Sequence, residues 1–311
     1  MCVHPLRILI GGSNYGRAYF EALALNAARY QPAALLARGS ERSRELASAH
    51  GVPLVTSVEA AAEGIDLACL ALPPAPREAL ALLRGGIPVL CEHPQPPTFI
   101  EAALAAAHDG RSVFHLNGHF SRLPASTAFI AHARLRQQVS KPVLAMLAAT
   151  DRSLFAALDI LAGVLGPPAA IDIQGARKDG LFTAAGFAWN DVPVSLEMQN
   201  RGPADGSEEY RLDYRIALGF ADGIVTLLSL AGPVIWNANY ARFGASGQSL
   251  WSMAHAGAES ATELRAQRAR ANLAAVEDLR ECAAGVSTPA HQSPEYLLGV
   301  ARLWQALGDL L

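Results

Sequence analysis

The run Ile8-Leu9-Ile10-Gly11-Gly12-Ser13-Asn14-Tyr15-Gly16 constrains this chain more than any other stretch. Three apolar residues lead straight into paired glycines, and a further glycine, Gly16, falls in the first turn of a helical pattern over Tyr15–Ala28. A buried strand, a tight turn and a helix start in that order aim backbone N–H groups and the positive end of the helix at one spot. That spot suits the pyrophosphate of a dinucleotide. Ser13 takes the place of the middle glycine of G-x-G-x-x-G, and its small side chain still lets a phosphate approach. The competing reading is an ordinary tight strand-to-helix turn.

The pattern that follows supports a doubly wound parallel sheet. Short β-rich runs at Leu6–Gly11, Ala33–Ala37, Asp66–Leu72, Val89–Cys91 and Ser112–Leu116, with a weaker one at Pro53–Thr56, alternate with helical runs. The helices are expected at Tyr15–Ala28, Ser40–His50, Ala75–Arg84 and Phe99–His108. These elements make residues 1–118 a Rossmann domain.

Beyond residue 118 the texture changes. A helix (Pro124–Gln138), a strand (Val143–Ala149) and a second helix (Leu154–Val164) lead into strand-like runs at Ala169–Arg177, Leu181–Ala188, Val192–Gln199, Tyr210–Leu218 and Gly223–Ser229. Asp179-Gly180, Asn190-Asp191 and Asp222-Gly223 separate them as hairpin turns do. Residues 119–311 are therefore expected to form an α+β domain with a mostly antiparallel sheet. An uncovered apolar face of that sheet would be buried in a homodimer. Helices at Glu259–Cys282 and Pro294–Leu311 close the chain, the last of them able to pack back on the first domain.

The second strand ends at Ala37 without the carboxylate that usually meets the ribose hydroxyls of NAD. Arg38, Ser40, Arg42 and Ser43 follow it and offer cations and hydroxyls to a 2′-phosphate, which points to NADPH; Ser40 can also cap the next helix. Pro73-Pro74 ends the fourth strand at the edge where such sheets bind ligands.

Composition narrows the partners. Of the 311 residues 51% are hydrophobic and 17% charged, the net charge is only −3, and the basic residues form no runs, so nucleic acid is not expected. No stretch is apolar and long enough to span a bilayer. The four cysteines (Cys2, Cys69, Cys91 and Cys282) form no CxxC pair, which fits a reducing cytoplasm and gives no reason to expect a metal site.

The fifth strand ends in Glu92-His93-Pro94, where dehydrogenases of the glucose-fructose oxidoreductase/inositol dehydrogenase (Gfo/Idh/MocA) superfamily carry Glu-Lys-Pro. With histidine there, the chain resembles the thiazolinyl imine reductases of yersiniabactin and pyochelin assembly. Ala37 to Ala47, Gly51-Val52-Pro53-Leu54, Gly232-Pro233-Val234-Ile235-Trp236 and Ala301-Arg302-Leu303-Trp304-Gln305 extend the resemblance over most of the length. It implies NADPH-dependent reduction of a thiazoline C=N to a thiazolidine while the intermediate hangs on a carrier domain of a nonribosomal peptide synthetase. A sugar or polyol dehydrogenase and a catalytically silent NADP-binding regulatory protein are the alternatives.

Hydride delivery to an imine carbon needs a proton on nitrogen. Histidine, with an unperturbed pKa of about 6.5, suits that better than lysine at about 10.4. His93 is thus the candidate proton donor or imine orienter, against a role in packing the cofactor, and Glu92 is assigned with it to the cofactor site. Leu116-Asn117-Gly118-His119-Phe120 follows the sixth strand and faces the same edge. The family's proposed donor is a tyrosine at the position of Phe120, which has no proton to give, so His119, His93 or water must act; His119 can equally be a packed histidine. Asn117 and Phe120 are candidate substrate contacts, and Trp236 is either a wall for an aromatic substrate or core. Asp159 is expected to find a structural partner within its apolar helix. Arg265, Arg268, Arg270 and Arg280 read as a solvated face or a surface for an acidic carrier.

Overall fold

A computed structural model describes residues 4–61, 63–179, 182–199, 213–239 and 249–310. Cys2, Gly180, Leu181, Tyr210 and Leu311, on which parts of the sequence reading fall, lie outside the described residues. The chain divides into two compact units. One comprises Met1–His119 with Ala266–Leu298, the other Phe120–Arg265 with Gly299–Leu311.

The first unit holds a six-stranded sheet of β1 (Leu6–Gly11), β2 (Tyr30–Leu36), β3 (Leu54–Val55), β4 (Leu67–Leu70), β5 (Val89–Glu92) and β6 (Phe114–Asn117). Its order, β3-β2-β1-β4-β5-β6, and its parallel pairings are those of a dinucleotide-binding sheet. The central strands are continuous apolar runs because helices cover both faces; Ile8, Leu9 and Ile10 are fully buried. The crossovers carry α1 (Arg17–Ala24), α2 (Glu41–Ala49), the single-turn α3 (Val58–Ala61), α4 (Arg77–Arg84) and α5 (Pro97–Asp109). In α1 the buried residues Tyr19, Phe20, Ala22 and Leu23 recur at helical spacing and form its sheet-facing stripe.

The second unit is built around α6 (Pro124–Gln137), α7 (Leu154–Leu165) and an eight-stranded sheet. Its strands are β7 (Pro142–Thr150), β8 (Asp172–Asp179), β9 (Phe182–Trp189), β10 (Val192–Gln199), β11 (Tyr214–Phe220), β12 (Gly223–Leu227), β13 (Val234–Ala238) and β14 (Trp251–His255). They run in the order β14-β13-β12-β11-β7-β10-β9-β8. Neighbours are antiparallel except β7 and β10, which pair in parallel. Asn190 and Asp191 both have positive φ (46 and 69), so β9 and β10 close through a two-residue turn whose twist suits the hairpin. Helix α7 is apolar on nearly every side, as a buried helix can be; ten of its twelve residues, Asp159 among them, are buried.

The sequence reading divided the chain at residue 118 and allowed the last helix to pack back on the first domain. The first compact unit includes most of α8 (Ala261–Ala283) and the start of α9 (Pro294–Gly308). Ala275, Val276 and Leu279 of α8 join Ile8, Ile10, Leu23, Leu35 and Leu90 in one core cluster. Full burial of a side chain such as Leu279 contributes ~1.5–3 kcal/mol, enough to fix which unit the helix joins. The strands β13 and β14 were not anticipated either. Among the described residues no helix is long and apolar enough to cross a membrane.

Candidate active site

The glycine turn forms the cradle that its spacing implies. Gly12 has a φ of 90, and a Cβ there would come within 2.2 Å of the Ala71 carbonyl oxygen; at Gly16 it would come within 1.9 Å of the Gly12 oxygen. Only glycine permits this close approach of turn, strand and helix start. Gly11 is buried at the end of β1, Ser13 is half-buried and Asn14 is exposed. Asn14 Oδ1 accepts a hydrogen bond of 2.9 Å from the guanidinium of Arg42, which ties the turn to the segment after β2. These features fit a nicotinamide dinucleotide, with its pyrophosphate at the turn.

The other residues after β2 divide in their roles. Arg38 is exposed. Ser40 is the N-cap of α2, its side chain accepting from the Ser43 N–H. Ser43 is fully buried and its hydroxyl donates to the Ser40 carbonyl at 2.7 Å, so it builds the helix start and does not offer that hydroxyl to a phosphate. Pro73 is exposed beyond the end of β4.

Parallel register sets the chemistry at the sheet edge. Glu92 and Asn117 are partners on β5 and β6, and both side chains meet the phenol of Tyr19 from α1. Glu92 Oε2 accepts from the Tyr19 hydroxyl at 2.9 Å and from Asn117 Nδ2 at 3.1 Å. Asn117 also donates to Asn272 Oδ1 of α8 at 2.8 Å. Asn117 is wholly inaccessible, and its amide is committed to bracing Glu92. Gln95 is another buried brace, donating to the Glu92 carbonyl and accepting from the Ala75 N–H.

His93 and His119 converge on Glu92 from the strand end and from the turn after β6. Glu92 Oε1 lies 3.3 Å from His119 Nδ1 and 3.8 Å from His93 Nε2, and the two imidazole centroids are 5.6 Å apart. His119 Nε2 is 2.9 Å from the Tyr15 hydroxyl, which also accepts from the guanidinium of Arg268 at 3.2 Å. Glu92, His93 and His119 each bring one ligand-type atom within 4.8 Å of the others, a spacing that suits a cation as well as a proton. The hydrogen bonds at Glu92 Oε2 and His119 Nε2 favour the proton-handling reading.

Electrostatics alters the role assigned to His93. Burial, reinforced by His119 and Arg268 and opposed by Glu92, pushes its pKa down to about 4. The imidazole is therefore neutral near pH 7, and the advantage of an unperturbed histidine as an acid does not apply. Burial raises the Glu92 carboxyl above its ordinary range, against the hydrogen bonds from Tyr19 and Asn117. Burial, then the nearby Glu92, pushes the thiols of Cys69 and Cys91 well up, so neither is a ready nucleophile.

Arg268 and Tyr15 are what the residue pattern did not bring together. Of the four arginines read as one helix face, Arg268 meets the Tyr15 hydroxyl and Arg280 pairs with Glu281 at 2.9 Å, while Arg265 and Arg270 are exposed. Phe120 and Trp236 belong to the second unit. Phe120 is buried edge-on to Tyr214. Trp236 is buried on β13, packed in the core with the Arg136 guanidinium 4.0 Å from its ring centroid and His132 beside it.

Comparison with known proteins adds a family to this geometry. The model described as oxidoreductase family, NAD-binding Rossmann fold, matches residues 6–117, and the one described as thiazolinyl imine reductase Irp3-like, C-terminal, matches residues 140–237. Three solved structures are similar over nearly the whole chain. A dehydrogenase from Chromobacterium violaceum has a TM-score of 0.75 at 14% identity, covering 99% of this chain and 95% of that one. The WlbA dehydrogenase from Bordetella pertussis, in complex with NADH and UDP-GlcNAcA, has a TM-score of 0.74 at 12% identity, covering 100% and 96%. Biliverdin reductase from Synechocystis sp. PCC 6803, in complex with biliverdin and NADP+, has a TM-score of 0.72 at 15% identity, covering 98% and 99%. At these identities the likeness is one of fold. No match was found among curated proteins.

Proposed function

Since the chain belongs to the Gfo/Idh/MocA oxidoreductases and carries the C-terminal domain of the Irp3-like thiazolinyl imine reductases, we propose that it is an NADPH-dependent reductase of a carrier-bound thiazoline C=N in nonribosomal siderophore assembly. The observation that carries this reading is the imidazole at the end of β5. The superfamily's sugar dehydrogenases keep a lysine at that place, and this chain has only two lysines, Lys141 and Lys178, both in the second unit. An alcohol oxidation that relies on that amine has nothing to use here.

When bound, the reduced nicotinamide supplies a hydride to the imine carbon. Gly12 and Gly16 would hold its pyrophosphate, and Arg42, braced on Asn14, would meet a 2′-phosphate. Neutral His93 orients the imine through a ring N–H, and the largely buried cluster around Glu92 keeps bulk water from the reacting atoms. The free, buried thiols of Cys69 and Cys91 fit work in the reducing cytoplasm.

The second unit's sheet supports a homodimer. Cross-strand register lines up Gly186, Ser195, Met146, Ala217, Thr226, Ile235 and Met253 on one face, where Met146 and Met253 are about half exposed at 43% and 52%. A second copy of this face would cover them.

Absorbance at 340 nm tests the activity. NADPH should be consumed when a thiazoline thioester is supplied, free or carrier-loaded, and neither inositol nor a hexose should be oxidised with NAD. No turnover with any thiazoline thioester removes the reading.

A further inference from the structure

Tyr15 reaches the cluster from the turn before α1, a position that reads as part of the cofactor cradle and nothing more. Its phenol oxygen lies 2.9 Å from His119 Nε2 and accepts from Arg268 at 3.2 Å, with the side-chain amide of Asn272 beside it. A phenol oxygen accepts two hydrogen bonds and donates one. When His119 carries a proton on each nitrogen, one N–H faces Glu92 Oε1 at 3.3 Å and the other faces the phenol. Both acceptor directions of Tyr15 are then filled, and its own O–H remains for a group lying at the strand ends.

We propose that Tyr15 is the catalytic acid that protonates the imine nitrogen, that His119 and Glu92 resupply its proton, and that Arg268 is the positioning residue for the phenol. The inference rests on the imine-reduction reading above. As hydride reaches carbon, the C=N π pair takes the Tyr15 proton and becomes an N–H bond. The Tyr15 O–H bond breaks and re-forms with the Nε2 proton of His119, which ends neutral with its Nδ1 proton toward Glu92. One hydride and one proton are consumed per imine. Charge building on the phenol oxygen lies beside the fixed guanidinium of Arg268. Burial and Glu92 hold the phenol pKa above its ordinary value, opposed by Arg268, so the O–H is intact at neutral pH.

The other charged or titratable groups at this cluster are Tyr19 on α1, His93 at the end of β5 and the buried thiols of Cys69 and Cys91, whose pKa values burial and Glu92 raise. None duplicates the arrangement. Tyr19 is fully buried with its hydroxyl donating to Glu92, and His93 is uncharged near pH 7.

The test pairs a neutral thiazoline thioester with its N-methyl thiazolinium counterpart, which accepts hydride without needing a proton. In NADPH single-turnover measurements Tyr15→Phe should slow the neutral substrate by about 100-fold or more and the thiazolinium by less than about threefold. In cofactor-free protein, the same substitution should move the His119 Nε2 resonance in histidine 15N NMR. Equal slowing of both substrates, or an unmoved resonance, overturns the inference while the imine reading stands. Wild-type protein inert toward both substrates overturns the imine reading and this inference with it.

Discussion

Replacing His93 with asparagine separates a neutral orienting imidazole from a charged acid. The pKa of about 4 lies well below the unperturbed value of about 6.5, because burial disfavours the charged form. At pH 7 about one His93 in a thousand would carry a proton. Histidine 15N NMR, with His93→Asn fixing the assignment, should find no titration of this ring above about pH 5. The linkage sign follows: the folded value is depressed, so the unfolded chain binds the proton first as pH falls below about 6.5. Stability therefore declines from there toward pH 4, by about 2 kcal/mol between pH 7 and pH 4.5, and His93→Asn should lack that decline in urea denaturation. Glu92, whose pKa is raised, acts in the opposite sense in both proteins. A neutral amide should also keep single-turnover reduction within about tenfold of wild type. A His93 midpoint near 6.5, together with a loss of more than about 100-fold in His93→Asn, would refute the reasoning.

Gly16→Ala should weaken NADPH binding at least about tenfold in fluorescence titration, because the new methyl meets the Gly12 carbonyl and pushes the turn off the helix start. Arg42→Gln should weaken NADPH by about 10- to 100-fold and leave NADH nearly unchanged, the scale of one charge-assisted hydrogen bond; equal losses would mean that Arg42 only braces Asn14. Tyr19→Phe removes a donor to Glu92, so the carboxyl should titrate still higher in 13C NMR and unfolding should become easier by about 1–3 kcal/mol. Trp236→Phe should cost about 1–2 kcal/mol of stability with NADPH affinity unchanged; a fall in kcat/KM at constant Tm would put that ring against substrate instead.

Local pattern made the first sheet legible. Continuous apolar runs and glycine punctuation gave β1 its full extent and placed Glu92, His93, Asn117 and His119 at one sheet edge. The Asn190-Asp191 turn was equally readable, since both residues tolerate positive φ. What stayed hidden depends on contacts distant in the chain. The parallel pairing of β7 with β10 joins segments separated by a helix and a hairpin, and no local signal specifies it. The run Val234–Ala238 carried no element in the sequence reading, which took Trp236 as either a wall or core, and it is a strand in the sheet. The apolar stripe of α8 is mostly small residues, so its arginines read as one solvated face, and the inward direction of Arg268 follows only from where Ala275, Val276 and Leu279 pack.

The return of Ala266–Leu298 to the first unit sets an order of events during synthesis. A ribosome that has released the first 119 residues has made the six strands and the glycine turn, but not Asn272 or Arg268. The nascent chain can begin its nucleotide-binding sheet early; the side chains around Glu92 and Tyr15 wait until α8 has been made. A gene fragment cut at the apparent domain boundary would thus encode six strands that lack both the core contacts of Ala275, Val276 and Leu279 and the partners that Asn272 and Arg268 give to Asn117 and Tyr15.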